Sequence, residues 1–121
     1  MTGPQQILIV EDEPLIAMML EDFLDILDKQ SAGTADSVAS ALGRIEQGGI
    51  DAAILDVNLR GGERSTPVAE ALAAAGVPFV FATGYGESFR IPSELGAVPM
   101  IKKPYTADTL RRALASVPAG D

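Results

Sequence analysis

Gln6-Ile7-Leu8-Ile9-Val10-Glu11-Asp12-Glu13-Pro14 is the stretch on which the fold turns. A continuous apolar run bounded by polar residues suits a strand covered on both faces. Pro14 stands where the first turn of a helix tolerates it. Beyond it Leu15, Ile16, Met19, Leu20, Phe23, Leu24 and Leu27 recur at helical spacing. Glu21, Asp22, Asp25 and Asp28 fall outside that stripe, so the pattern predicts a helix to about residue 28 with the apolar stripe inward.

The same unit recurs downstream. Residues 29–34 are a short strand candidate, poor in branched residues and required mainly by the repeating pattern. Asp36 or Ser37 can cap a second helix through about Glu46, with Val38, Ala41, Leu42 and Ile45 inward and Gly48-Gly49 ending it. Residues 51–55 read as the next strand, closed by Asp56, and a polar loop runs from Asn58 to Thr66. Pro67 opens a third helix that ends at Gly76. Residues 77–82 read as a fourth strand with its proline near the start, and Thr83-Gly84-Tyr85-Gly86 turns away from it. The stretch 87–96 is poor helix material interrupted by Pro92, which predicts an abbreviated, labile fourth helix. Residues 98–101 read as a fifth strand. Thr106 can cap a last helix with Leu110, Ala113 and Leu114 inward and Arg111 and Arg112 outward.

Five strand–helix units predict one α/β domain over residues 1–121, a doubly wound parallel sheet with helices on both faces. Right-handed crossovers leave few layouts, of which strand order 2-1-3-4-5 is a common one. In that order the first and third strands are neighbours, and the crevice at their carboxyl ends is where ligands bind.

Bulk properties remove whole classes of function. With 121 residues, 47% hydrophobic and 21% charged, the chain can bury a core and is too apolar for disorder. A net charge of −8 opposes nonspecific binding to nucleic acid or anionic membranes. The absence of cysteine excludes disulfides, thiol catalysis and thiolate metal sites. The absence of histidine excludes a Ser-His-Asp hydrolase, an imidazole zinc site and a phosphohistidine donor. No run approaches the ~20 apolar residues of a membrane helix, and Met1 to Gln6 lacks the features of a signal peptide. A cytoplasmic protein with no DNA-binding module and no membrane contact is the expectation.

The chemistry collects at strand ends. Glu11 and Asp12 follow the first strand, Asp56 closes the third, and Lys103-Pro104 follows the fifth. Three carboxylates brought within a few ångströms repel one another unless a cation sits among them. Without sulfur or imidazole donors that cation is a hard one, and Mg²⁺ takes one or two carboxylates, a carbonyl and retained waters. Asp12 and Asp56 are the candidate direct ligands, the backbone carbonyl of Asn58 completes the set, and Glu11 acts directly or through water. Acids with one cation at a sheet edge suggest a transferable phosphoryl group. Lone loop acids usually face solvent, and it is their joint placement at strand ends that points to a site.

On these residues the chain resembles the receiver domain of two-component response regulators over residues 6 to about 117. The matching positions are Glu11-Asp12, Asp56, Thr83 and Lys103-Pro104, with 44 residues between Asp12 and Asp56. The resemblance implies a flavodoxin-like (βα)5 fold in the order 2-1-3-4-5, with Mg²⁺ as cofactor. It implies that Asp56 takes a phosphoryl group from a phosphohistidine on a sensor histidine kinase or a histidine phosphotransfer protein. Lys103 would pair first with Asp56 and then with a phosphoryl oxygen, and the Lys103–Pro104 bond would be cis. Alternation assigns Lys102 to the opposite, solvated side. The Thr83 hydroxyl would follow the phosphoryl group and move its loop. The chain would catalyse only its own phosphorylation and dephosphorylation. It would signal by protein–protein contact as a regulator, phosphorelay shuttle or sink, as a monomer or a weak phosphorylation-dependent dimer.

Three departures stand out. Met100 occupies the position, three before the lysine, where many receivers carry a switching aromatic. Arg60-Gly61-Gly62 replaces the usual proline after the acceptor. Phe81-Ala82-Thr83-Gly84-Tyr85 is similar to a receiver subgroup in which the loop after the threonine takes over part of the switching. Tyr85, Met100, Pro104 and Tyr105 are therefore the candidate switch or partner residues. Two other classes compete. A haloacid dehalogenase-type Mg²⁺-dependent aspartyl phosphatase favours Asp-x-Asp after the first strand, where this chain has Glu11-Asp12-Glu13. An FMN binder needs Gly, Ser or Thr at that turn, and three acids would repel its phosphate.

Overall fold

The apolar runs do form strands, and they lie side by side in one five-stranded parallel sheet. The computed structural model describes residues 5–59, 63–84, 91, 93–95, 98–102 and 105–117. Its strands are β1 (Gln6–Val10), β2 (Gln30–Ala35), β3 (Ala52–Asp56), β4 (Phe79–Thr83) and β5 (Met100–Lys102), arranged in the expected order β2-β1-β3-β4-β5. The helices are α1 (Pro14–Ile26), α2 (Val38–Gln47), α3 (Thr66–Ala74) and α4 (Ala107–Ser116), with a 3₁₀ turn at Ser93–Leu95 between β4 and β5. The abbreviated fourth helix expected over 87–96 falls mostly outside the described residues, and this turn is its described part. The rest of 85–97, apart from Ile91, lies outside the described residues.

Alternation along the central strands splits the core in two. Ile7, Ile9, Ala52, Ile54, Val80, Ala82 and Ile101 face α1 and α4, packing with Leu20, Leu24, Leu110 and Leu114. Leu8, Val10, Ala53, Leu55, Phe79 and Phe81 face α2 and α3, packing with Ala41, Val68 and Leu72. A sheet covered on both faces needs such continuous apolar strands, and β1, β3 and β4 supply them.

Several element limits differ from the sequence reading. The fourth strand starts at Phe79, two residues late, because Val77 is still tied to the end of α3 through its N–H to Leu72 O at 2.9 Å. It runs on through Thr83 because the ladder continues, Val57 N donating to Ala82 O at 2.9 Å. The third strand starts at Ala52 rather than residue 51. Asp51 instead accepts hydrogen bonds from Gln5 N and Gln6 N, at 3.1 and 2.9 Å, anchoring the start of β1. The fifth strand is Met100–Lys102 rather than 98–101, fixed by the pairing of Phe81 with Met100. Helix α1 ends at Ile26 because Asp28 takes a left-handed φ of 60°, a conformation aspartate tolerates better than most residues, while Lys29 N closes back onto Leu24 O at 2.8 Å.

Leu15 is the one clear error in the inward stripe of α1. It is 79% exposed, as are Met18 and Ile26 at 59% and 68%. The buried axis runs through Ala17, Leu20 and Leu24, and Leu15 lies two residues, roughly 200°, away from Ala17.

Strand β2 is the weakly patterned one, and its geometry explains why. Its register against β1 slips between Ile7–Ser31 and Leu8–Gly33, leaving Ala32 as the extra residue of a bulge. Gly33 has φ +124°, which a side chain would resist. The carbonyl of Ala32 accepts from Arg44 Nε of α2 at 2.9 Å, while the Arg44 guanidinium also reaches Gly48 O at 2.7 Å. Ser37 caps α2 in a reciprocal arrangement with Ser40, which settles the choice between Asp36 and Ser37. Thr106 caps α4 by accepting from Thr109 N at 3.1 Å.

Candidate functional site

Strand register carries the acids to one edge. Val10 pairs with Leu55, so Glu11 follows opposite Asp56, and Asp56 in turn pairs with Ala82, one residue before Thr83. Glu11 and Asp56 are each only 4% exposed, and Asp12 is half-buried beside them. One carboxylate oxygen from each of Glu11, Asp12 and Asp56 lies within 4.8 Å of the others. Two of these acids are buried, which water alone does not make favourable for a carboxylate. The donor set is all oxygen, so the residues fit a hard divalent cation.

Local hydrogen bonds hold the acids in place. Glu13 N donates to Glu11 Oε2 at 3.1 Å, which closes the turn from β1 into α1. Asn58 N approaches Asp56 Oδ1 at 3.4 Å, so the loop after β3 curls back over the strand end and keeps Asn58 beside the acids. That loop is braced by the Asn58–Arg64 bridge and by Leu59 N donating to Glu63 O at 2.7 Å. Glu63 then accepts from Val38 N at 3.1 Å, tying the loop after β3 to the start of α2. A cleft of about 320 Å³ opens next to the acids, with Asp12, Ala17, Asp36 and Ser40 in its walls.

Thr83 is 2% exposed at the end of β4, and its hydroxyl makes a long 3.5 Å contact with Gly84 O. Met100 is half-buried and packs with the α2/α3 side of the core. Lys102 is exposed, as alternation requires. Lys103, Pro104 and Tyr85, together with Arg60, Gly61 and Gly62, lie outside the described residues.

Tyr105 is the residue whose position is least legible in the sequence. Marked there only as a switch or partner position, it is 4% exposed and packs in the α1/α4 half of the core with Ile9, Ala17 and Leu110. Burial, and then the charges of Glu11, Asp56 and Glu13, hold its hydroxyl far above the usual tyrosine range. It is a buried, neutral O–H at any physiological pH, under the influence of those three acids. The only signal for it is a polar aromatic directly after Lys103-Pro104 in an acid-rich edge. Glu63 carries no signal at all, since its partner Val38 lies 25 residues away.

The response regulator receiver domain family model matches residues 7–115. A solution structure of SdrG from Sphingomonas melonis Fr1 is 65% identical, covering 95% of this chain and 97% of that one, with a TM-score of 0.83. The BeF3-activated conformation of SdrG from Pseudomonas melonis Fr1 is 63% identical over the same shares, with a TM-score of 0.77. The receiver domain of Erythrobacter litoralis PhyR is 31% identical, covering 93% of this chain and 88% of that one, with a TM-score of 0.76. A search of curated protein sequences gave no match.

Proposed function

Because this chain belongs to the response regulator receiver domain family, we propose that it accepts a phosphoryl group on Asp56 and signals through protein contacts. The donor is a phosphohistidine on a sensor histidine kinase or histidine phosphotransfer protein. An Asp56 carboxylate oxygen forms the new P–O bond as the P–N bond breaks, and the leaving imidazole takes up a proton. The observation that carries this reading is the convergence of Glu11, Asp12 and Asp56 within 4.8 Å at the sheet edge.

Glu11, Asp12, Asp56 and the carbonyl of Asn58 are the groups that would hold Mg²⁺. The ion supplies positive charge to the transferring group, the electrostatic contribution on which phosphoryl transfer mostly depends. Asp56 is the nucleophile, buried enough to keep bulk water from its oxygens. Thr83 offers a hydroxyl whose present contact, 3.5 Å long, is weak enough to exchange for a phosphoryl oxygen. Lys103 provides the compensating cation. Tyr85, Met100 and Pro104 report the change, with Tyr85 of the Phe-Ala-Thr-Gly-Tyr segment acting in place of the aromatic that Met100 replaces. The domain then works in the cytoplasm as a regulator, shuttle or sink, monomeric or weakly dimeric when phosphorylated. Among the described residues no helix is long and apolar enough to cross a membrane. The haloacid dehalogenase reading is not supported, since the family match runs across the sheet and all three acids.

Incubation with Mg²⁺ and acetyl phosphate, read by intact mass, tests the assignment. Wild type should gain one phosphoryl group and Asp56→Asn none. Equal modification of both would remove Asp56 from its role.

A further inference from the structure

The Tyr105 hydroxyl oxygen is buried and has no hydrogen-bond partner among the described residues. Leaving a buried hydroxyl unpaired is costly, so such a group calls for an explanation. Its surroundings supply one. Tyr105 packs in the cluster that contains Ile7, Ile9, Ala52 and Ile54. Alternation continues those two series to Glu11 and Asp56, so both acids emerge on the face of the sheet that Tyr105 covers. Ala17, which shares the cluster with Tyr105, also lines the cleft beside the acids. The charged groups acting on the hydroxyl are Glu11, Asp56 and Glu13. It therefore lies in the field of three carboxylates and is hydrogen-bonded to none of them.

We propose that Tyr105 is a positioning residue for the divalent cation, its hydroxyl reaching the ion through a hydrating water and steadying the Glu11 carboxylate beside it. The inference rests on the metal reading of Glu11, Asp12 and Asp56 given above. Mg²⁺ keeps several waters when it binds to a protein, and their protons need acceptors. A phenolic oxygen accepts one such proton while its own O–H donates to a carboxylate. Phenylalanine would fill the same apolar space among Ile9, Ala17 and Leu110, so only the hydroxyl distinguishes a positioning role from a packing one. Outer contacts of this kind are commonly worth 10–100-fold in metal affinity.

The test is an Mg²⁺ titration of the whole chain, followed by amide NMR shifts, on wild type, Tyr105→Phe and Asp12→Asn. Each is also melted in chelator. Tyr105→Phe should weaken Mg²⁺ binding about tenfold, and in chelator it should melt at the wild-type temperature or above. Unchanged Mg²⁺ affinity in Tyr105→Phe would overturn the proposal. A lower melting temperature in chelator would also overturn it, since the hydroxyl would then be bonded within the metal-free protein. Asp12→Asn separates the two levels of argument. If wild type and Asp12→Asn bind Mg²⁺ alike, the acid cluster is not the metal site and the Tyr105 role falls with it.

Discussion

Replacing Asp56 with asparagine should make the metal-free protein more stable while making it blind to phosphodonors. Glu11 and Asp56 present carboxylate oxygens within 4.8 Å, and both residues are only 4% exposed. At that separation two like charges repel by about 3.5 kcal/mol when the effective dielectric constant is about 20. Both carboxylates have other partners as well, so the net gain from Asp56→Asn should be about 1–3 kcal/mol. Asparagine keeps an oxygen for the 3.4 Å approach of Asn58 N, so the geometric cost is small. For a chain of 121 residues the gain corresponds to a rise of roughly 4–12 °C in melting temperature.

The assay is thermal unfolding in chelator and again with saturating Mg²⁺. An ion that binds only the folded protein at about 100 times its Kd adds about 2.7 kcal/mol. Wild type should gain close to that and Asp56→Asn much less, so the two melting curves approach one another when Mg²⁺ is added. A mutant that melts below wild type in chelator would refute the repulsion argument. A gap indifferent to Mg²⁺ would refute the claim that the same carboxylates hold the ion.

Arg44→Met keeps the apolar stem but leaves the bulge carbonyl of Ala32 and Gly48 O without their guanidinium donor, and should cost about 1–3 kcal/mol in urea unfolding. Backbone amides of β2 should exchange faster with deuterium in that variant than those of β3. Alkaline titration of tyrosinate absorbance in a Tyr85→Phe background should find Tyr105 un-ionised well past pH ~10, where free tyrosine titrates. The folded state then holds a proton that the unfolded state gives up, so stability is full below the unfolded value and falls as pH rises beyond it. Ionisation at the ordinary value, with the fold intact, would show the hydroxyl to be accessible to solvent.

The parts of the fold that repeat a simple period are legible in the amino-acid sequence alone. Strands β1 and β3 are unbroken apolar runs, and the inward residues of α4 follow from Leu110, Ala113 and Leu114. Limits are legible only to within two residues, because each is set by a partner distant in sequence, as Val57 N on Ala82 O shows. Leu15 escapes the pattern because an apolar residue next to a stripe looks the same in sequence whether it lies on its edge or behind it. Strand β2 is the faintest because a bulge, a positive-φ glycine and the Arg44 contact set its course, none of which leaves a hydrophobic period.

The acids follow a different logic. Their clustering is inferred from where strands end, and parallel register then does the rest, since Val10 opposite Leu55 puts Glu11 opposite Asp56. A register one residue longer on either strand would separate the pair by a strand step of about 3.3 Å and turn one acid to the other face of the sheet. The site is thus a property of alignment between strands more than of any residue. What residue order cannot convey is the floor beneath it. Tyr105 comes from the far end of the chain into the same core cluster as Ile9 and Ala17, on the face of the sheet that α1 and α4 cover. A conservative change there, Tyr to Phe, leaves every apolar contact and removes one O–H, so the core can stay intact while the chemistry above it changes.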